Sequence, residues 1–205
     1  MEEAVTTYQA HVTADVARYL LDRGIGRAEA ATFRLGVVAD PAPGHERFRG
    51  MLAIPYLDRD SRPLTVRFRC LQEHAHRDHF HGKYNSIKED PPRMFNVGAI
   101  HRAGDEIHVT EGELDAVILT KLGLPAVAIP GAKMWFGRHR RMLAGFSRTW
   151  VWADPDDAGA ELVNKITRSL RSAKAVRLKA DVTDTYMAGG ADALFSAFVP
   201  KELAA

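Results

Sequence analysis

Beyond about residue 104 the chain alternates between two hydrophobic rhythms. Ile107-His108-Val109-Thr110 is short and β-branched and predicts a buried strand. Leu114, Val117, Ile118 and Leu122 then recur every three or four positions, the period of a helix face. The alternation repeats. Ala126-Val127-Ala128-Ile129-Pro130 predicts a second strand, and after Gly131 a helical stretch runs to about Gly145. Thr149 to Ala153 predicts a third strand, and Leu162, Val163, Ile166 and Leu170 mark the next helix. Ala175 to Lys179 predicts a fourth strand, with a final helix from about Ala191 to Phe198. Strands separated by helices imply right-handed crossovers and a mostly parallel sheet. The expected class is α/β, with residues 105–205 as one domain.

Residues 1–104 read differently, as a smaller α+β subdomain. Thr13 is a candidate N-cap for a helix carrying Val16, Tyr19 and Leu20 on one face. A second short helix spans Ala28 to Phe33, and Asp40 to Gly44 is a Pro/Gly loop. Gly50 to Asp58 and Leu64 to Cys70 read as a β-hairpin turning at Asp58 to Pro63. Arg67 and Arg69 alternate with Val66 and Phe68, so both guanidinium groups fall on one side of the strand. That side is either a solvated outer face or a phosphate-gripping surface.

Three predicted strands end in acids. The first hands over to Glu111-Gly112-Glu113-Leu114-Asp115, the third to Asp154-Pro155-Asp156-Asp157, the fourth to Asp181-Val182-Thr183-Asp184. A parallel sheet brings its carboxyl edges to one rim, where ligands of such folds bind. Glu111 is a candidate metal ligand or proton acceptor; an acid favoured by a helix N-terminus is the plainer alternative. Several converging carboxylates repel one another unless a cation neutralises them. A magnesium site built from oxygen ligands is the economical reading.

Composition adds three constraints. With 205 residues, 46% of them hydrophobic, the chain can bury a core in one or two domains. Its net charge of +2 says little, but bases outnumber acids between Arg62 and Arg102, which suits a polyanionic substrate. Cys70 is the single cysteine, which excludes a disulfide framework and a Cys-rich zinc module. No secretory signal or membrane-length apolar run is present, and a reducing cytoplasm is the expected setting. His74, His76, His79 and His81 crowd into eight residues, with His-x-His spacing in each pair. Lacking matched cysteines and an evident frame, they read as a mobile polar loop rather than a zinc site. Trp135 and Phe136 read as packing residues, and the run Arg138-His139-Arg140-Arg141 as a solvated helix face.

The Glu-Gly-x-x-Asp turn at Glu111, the Asp-x-Asp turn at Asp154 and the terminal turn at Asp181 together resemble the TOPRIM domain of topoisomerases and primases. The upstream part is similar to the RNA-polymerase core of bacterial and phage DnaG-type primases. Tyr19-Leu20-x-x-Arg23-Gly24-Ile25 with Phe33-Arg34-Leu35-Gly36, the hairpin, and Lys83-Tyr84-Asn85-Ser86 carry that likeness. Two departures stand out. Val97, after Phe95-Asn96, occupies a place where the family usually has lysine, and Thr183 takes the place of a second aspartate in the last turn.

The resemblance implies synthesis of short RNA primers on a single-stranded DNA template from ribonucleoside triphosphates. It implies two Mg2+ (or Mn2+) ions held by Glu111, Asp154 and Asp156, with Asp181 and Asp184 contributing. Lys83, with Arg67 and Arg69, would hold phosphates; Asp115, Gly131 and Asp157 would support the site. Gly131 is equally well a plain turn glycine. A compact phage-type enzyme in the host cytoplasm is expected, served by a separate zinc-binding primase subunit and a replicative helicase. The alternatives are a TOPRIM nuclease and a non-catalytic TOPRIM module that binds DNA or a repair partner.

Overall fold

The computed structural model describes residues 1–152 and 154–198. The chain forms two compact units, the first ending at Pro92 and the second beginning at Arg93. Residues 93–104, assigned to the first domain from sequence, pack with the second unit, because Phe95 pairs its backbone with Ala128 through bonds of 3.0 and 3.3 Å.

In the first unit three helices, α1 (Glu2–Ala10), α2 (Ala14–Leu21) and α3 (Arg27–Thr32), precede a four-stranded antiparallel sheet. Its strands lie in chain order: β1 (Gly36–Val37), β2 (Leu52–Leu57), β3 (Pro63–Arg69) and β4 (Tyr84–Ser86). Thr13 caps α2 as its sequence position demands, accepting a bond from the Val16 amide at 3.3 Å. The β2–β3 hairpin forms because Asp58 organises its turn. One carboxylate oxygen accepts from the amides of Asp60 and Arg62 at 2.8 and 2.9 Å, and the other from the Arg62 guanidinium. Phe48 and Phe68 stack at 3.9 Å in a core that also holds Val5, Tyr8, Val66 and Cys70. Burial of each such large side chain is worth about 1.5–3 kcal/mol. Helix α1 and the short strands β1 and β4 were not evident from periodicity.

The second unit holds a four-stranded, wholly parallel sheet. Helix α4 (Gly98–Arg102) leads to β5 (Glu106–Thr110), α5 (Glu113–Lys121) and β6 (Ala126–Ala128). Then come α6 (Gly137–Leu143), β7 (Arg148–Trp152), α7 (Asp157–Ser169), β8 (Ala173–Val176) and α8 (Val182–Phe198). The strand order is β6-β5-β7-β8. Ile107, Val109 and Val151 form one face with Leu162 and Ile166 of α7 and Leu143 of α6. On the opposite face His108 accepts a 2.9 Å bond from the Trp152 indole, and Phe198 of α8 lies against His108, Trp150 and Trp152. The sheet thus has helices on both sides, and the α/β class holds.

Three sequence expectations are corrected. The last strand lies at Ala173–Val176 rather than Ala175–Lys179, since its pairing stops where β7 stops, at Trp152 opposite Val176. The last helix begins at Val182, not Ala191; Asp181 starts it, and a break at Gly190 (φ 66°) divides it. The basic run on α6 is solvated at its three arginines, as expected, but not at His139, which is buried; the Arg140 guanidinium bonds the Ser169 carbonyl at 2.8 Å. Ala153, expected in the third strand, lies outside the described residues. Among the described residues, no helix is long and apolar enough to cross a membrane.

Candidate active site at the carboxyl edge of the parallel sheet

Strand β5 is central, and the chain leaves it first toward β6 and then returns on its other side as β7. The sheet order therefore reverses between β5 and β7. In open parallel sheets the crevice at such a switch point is where ligands bind, because the connections on its two sides diverge to opposite faces. Glu111 follows the last residue of β5, and Asp154 and Asp156 follow β7. Three of the acids that the sequence singled out thus come from the two strands that flank the switch point, whereas Asp181 and Asp184 follow β8.

Glu111 is half-buried, and its Oε2 is enclosed without a hydrogen-bond partner. Burial first, then the Asp154 and Asp156 carboxylates, push its pKa up to about 7. An enclosed carboxylate oxygen that lacks a donor and faces two further carboxylates is an arrangement that a divalent cation would satisfy. Gly131 forms the turn beyond β6 at φ 95°, a conformation open to glycine, and a Cβ there would stand 3.9 Å from Glu111 Oε1. The turn glycine therefore borders the acid.

Asp156 is the N-cap of α7, its Oδ1 accepting from the Gly159 amide at 2.8 Å. Asp157 is the first residue of that helix and is exposed. Gly159 borders the candidate site, and the sequence reading did not single it out. A Cβ there would collide with the backbone of Asp154, so only glycine lets the first turn of α7 pack against the residue that carries the site carboxylate. A glycine in the first turn of an otherwise regular helix was the available signal.

Asp115 is buried, and its Oδ1 accepts two bonds, from the Thr183 amide at 2.9 Å and the Thr183 hydroxyl at 2.7 Å. This joins α5 to the first turn of α8. Burial pushes the Asp115 pKa up to about 7 against the opposing pull of the Thr183 bonds, with Asp181 and Asp154 adding repulsion. Thr183 was read only as a departure at the last acidic turn; its role as the partner of Asp115 was not visible in the sequence. Asp181 is half-buried and accepts from the Asp184 amide at 2.6 Å, which caps α8. Asp184 itself is exposed in the first turn of that helix. Asp154 and Asp156 thus repel the Glu111 carboxylate, and Asp181 and Asp154 repel that of Asp115.

These shifts set a pH dependence. An acid whose folded pKa lies above its unfolded value holds more protons in the native state, so stability falls as pH rises between the two values. For Glu111 and Asp115 that window runs from the ordinary carboxylate range up to about 7. In metal-free buffer the second unit should melt at a lower temperature at pH 8 than at about pH 5. Scanning calorimetry across the window tests this, and a rising Tm would contradict the assigned shifts.

The basic residues expected to hold phosphate, Arg67, Arg69 and Lys83, lie in the first unit. Arg69 is buried, with its guanidinium bonded to the Tyr84 hydroxyl and 4.8 Å from that ring's centroid. Arg67 is half-buried and also faces the Tyr84 ring, at 5.3 Å. At Arg69 the strand face is thus covered by aromatic rings rather than solvated. Lys83, immediately before β4, is exposed, and its carbonyl accepts from the Cys70 amide at 2.9 Å.

No family model matches the chain. It is 32% identical over 153 residues to the Gene 57 protein of Mycobacterium phage D29, an alignment covering 72% of this chain and 97% of that protein. Among solved structures it superposes on the Aquifex aeolicus primase (zinc-binding and RNA polymerase domains) with a TM-score of 0.76 at 18% identity. That match covers 95% of this chain, which spans 58% of the Aquifex chain. The RNA polymerase domain of Mycobacterium tuberculosis primase DnaG gives a TM-score of 0.75 at 18% identity, covering 95% of this chain and 80% of that one. The chain therefore belongs to the family of the mycobacteriophage Gene 57 protein, and its fold is that of the DnaG-type primase catalytic core.

Proposed function

We propose that the protein is a primase catalytic core that synthesises short RNA primers on single-stranded DNA from ribonucleoside triphosphates, using a TOPRIM-type acidic site. The observation that carries this reading is the set of carboxylates at the switch point, where Glu111 Oε2 is enclosed and partnerless beside Asp154 and Asp156. In the reaction a primer 3′-hydroxyl attacks the α-phosphorus of an incoming triphosphate, and pyrophosphate leaves. Magnesium, when bound, would neutralise phosphate charge and favour the ionised nucleophile. Glu111, Asp154 and Asp156 would hold it, with Asp181 beside them and Asp184 in the outer ring. Asp115 positions these groups by fixing the start of α8 through Thr183. A DnaG primase catalytic domain of this fold has been solved bound to single-stranded DNA, which supports DNA as the template here.

Lys83 supplies a compact, exposed positive charge suited to a phosphate of template or nucleotide. Losing one contact to a phosphoryl-transfer transition state costs about 10²–10³ in rate. Lys83→Ala should therefore slow primer synthesis by that order without changing magnesium-dependent stabilisation of the second unit. Wild-type rates in the variant would remove Lys83 from the mechanism. The reading as a whole is tested by incubating the protein with single-stranded DNA, magnesium and labelled ribonucleotides. Labelled short RNA is the expected product. Cleaved DNA would assign a nuclease, and binding without either product a non-catalytic module.

A further inference from the structure

The histidine-rich loop between β3 and β4 is not the open polar segment that its sequence suggested. It gathers one atom each from Cys70, His74, His76 and His81, all within 4.8 Å of one another. We propose that these four residues form a zinc site.

The frame that the sequence seemed to lack is supplied by the sheet. Cys70 directly follows β3, is buried in the core of the first unit, and continues the β3–β4 pairing through its amide to the Lys83 carbonyl at 2.9 Å. Beyond it the chain folds back in a short 3-10 turn, His76–His79, and the His81 amide closes onto the His76 carbonyl at 3.3 Å. Cysteine and histidines separated in sequence thereby meet at one point. The Cys70 Sγ to His74 Nε2 distance is 3.7 Å. Bonds of about 2.3 Å to sulfur and about 2.0–2.1 Å to nitrogen, at a tetrahedral angle, place two such ligands roughly 3.5 Å apart. That pair already has the spacing of one tetrahedral edge.

Two further observations point to metal ligation rather than to chance crowding. The His76 Nδ1 is enclosed and has no hydrogen-bond partner, a state that costs free energy unless something binds there. The His81 Nδ1 donates to the Gly82 carbonyl at 2.9 Å, which fixes its tautomer and leaves Nε2 as an acceptor. Metal-bound histidines characteristically use their second nitrogen in this way. The same carbonyl accepts from the Asn85 amide at 2.7 Å, so a residue of β4 orients the bond that orients His81. His79 differs from the others: its ring stacks on His74 at 4.2 Å, but it is exposed and contributes no atom to the group.

The donor set selects the ion. One thiolate and three imidazoles in a closed four-ligand arrangement suit zinc and are poor ligands for magnesium, which prefers oxygen. On binding, the Cys70 thiol gives its proton to solvent, the three imidazoles bind neutral, and no redox change occurs. The ion would staple the end of β3 to residue 81, two positions before Lys83. The inference stands apart from the reaction proposed for the second unit, since zinc binding can be read without any activity.

The test uses untagged full-length protein. Metal analysis should find about one zinc per chain, retained in excess magnesium. Cobalt titrated into metal-free protein, again with excess magnesium occupying oxygen sites, should give the intense visible bands of tetrahedral coordination and a thiolate charge-transfer band. Cys70→Ser and His76→Ala should each weaken zinc binding by more than about 100-fold, beyond what loss of an outer-shell partner costs. His79→Ala should leave it unchanged. Absence of stoichiometric zinc, a cobalt spectrum without the charge-transfer band, or equal loss in His79→Ala would overturn the proposal. If the ligand variants fail to fold, the cobalt spectrum of the unaltered protein decides alone.

Discussion

Asp154→Asn combined with Asp156→Asn is expected to abolish primer synthesis, with a loss exceeding about 10³ in rate, because two anionic oxygen ligands become neutral amides. The substitution is chosen so that the fold survives. Asp156 caps α7 by accepting from the Gly159 amide, and asparagine is an equally good N-cap. Glu111, relieved of two repelling carboxylates, should titrate closer to its ordinary range, so stability in metal-free buffer near neutral pH should rise slightly. In the unaltered protein magnesium should raise the melting temperature above pH 7, where the carboxylates are ionised, and have little effect at about pH 5. The double variant should lack that response. Undiminished synthesis of labelled RNA would refute the assignment of these acids, whatever the calorimetry showed.

The largest effect on stability is expected at Asp115. Asp115→Ala leaves the buried Thr183 amide and hydroxyl without their acceptor, at roughly 1–3 kcal/mol for each unsatisfied group. The second unit should lose about 2–6 kcal/mol and melt well below the parent. Asp115→Asn retains an oxygen that can accept both bonds and removes a charge held at high pKa by burial. Its stability at pH 8 should match or exceed that of the parent, and it should keep most of its activity. This pair separates two roles. A residue that positions α8 tolerates asparagine; a residue that binds the cation directly does not. If Asp115→Asn loses synthesis as completely as the Asp154/Asp156 variant, the tethering role assigned through Thr183 is wrong.

What could be read from the sequence was what is written locally. The β-branched run at Ile107 and the three-and-four spacing from Leu114 follow from the geometry of one strand and one helix. So do the Thr13 cap and the Asp58 turn, whose bonding partners lie within four residues. The acids beyond β5 and β7 were legible for the same reason, since a strand followed by a helix fixes which residue stands at the sheet edge. Boundaries that depend on a distant neighbour were read less well. β8 extends only as far as β7 offers partners, and α8 begins nine residues earlier than its apolar pattern suggested, at a cap made by Asp181 (Val182 against Ala191).

The sequence by itself determined the α/β alternation, the antiparallel hairpin and the identity of the edge acids, because each is a consequence of backbone period and capping over a few residues. Only the tertiary structure decided the strand order that puts β5 beside β7 and makes the space after them a switch point. It alone decided that Asp115 meets Thr183, 68 residues away, that Gly159 packs on Asp154, and that Cys70 closes a ring of histidines. These meetings have no local signature, since they arise when separate elements bury their apolar faces together and carry their polar residues into contact.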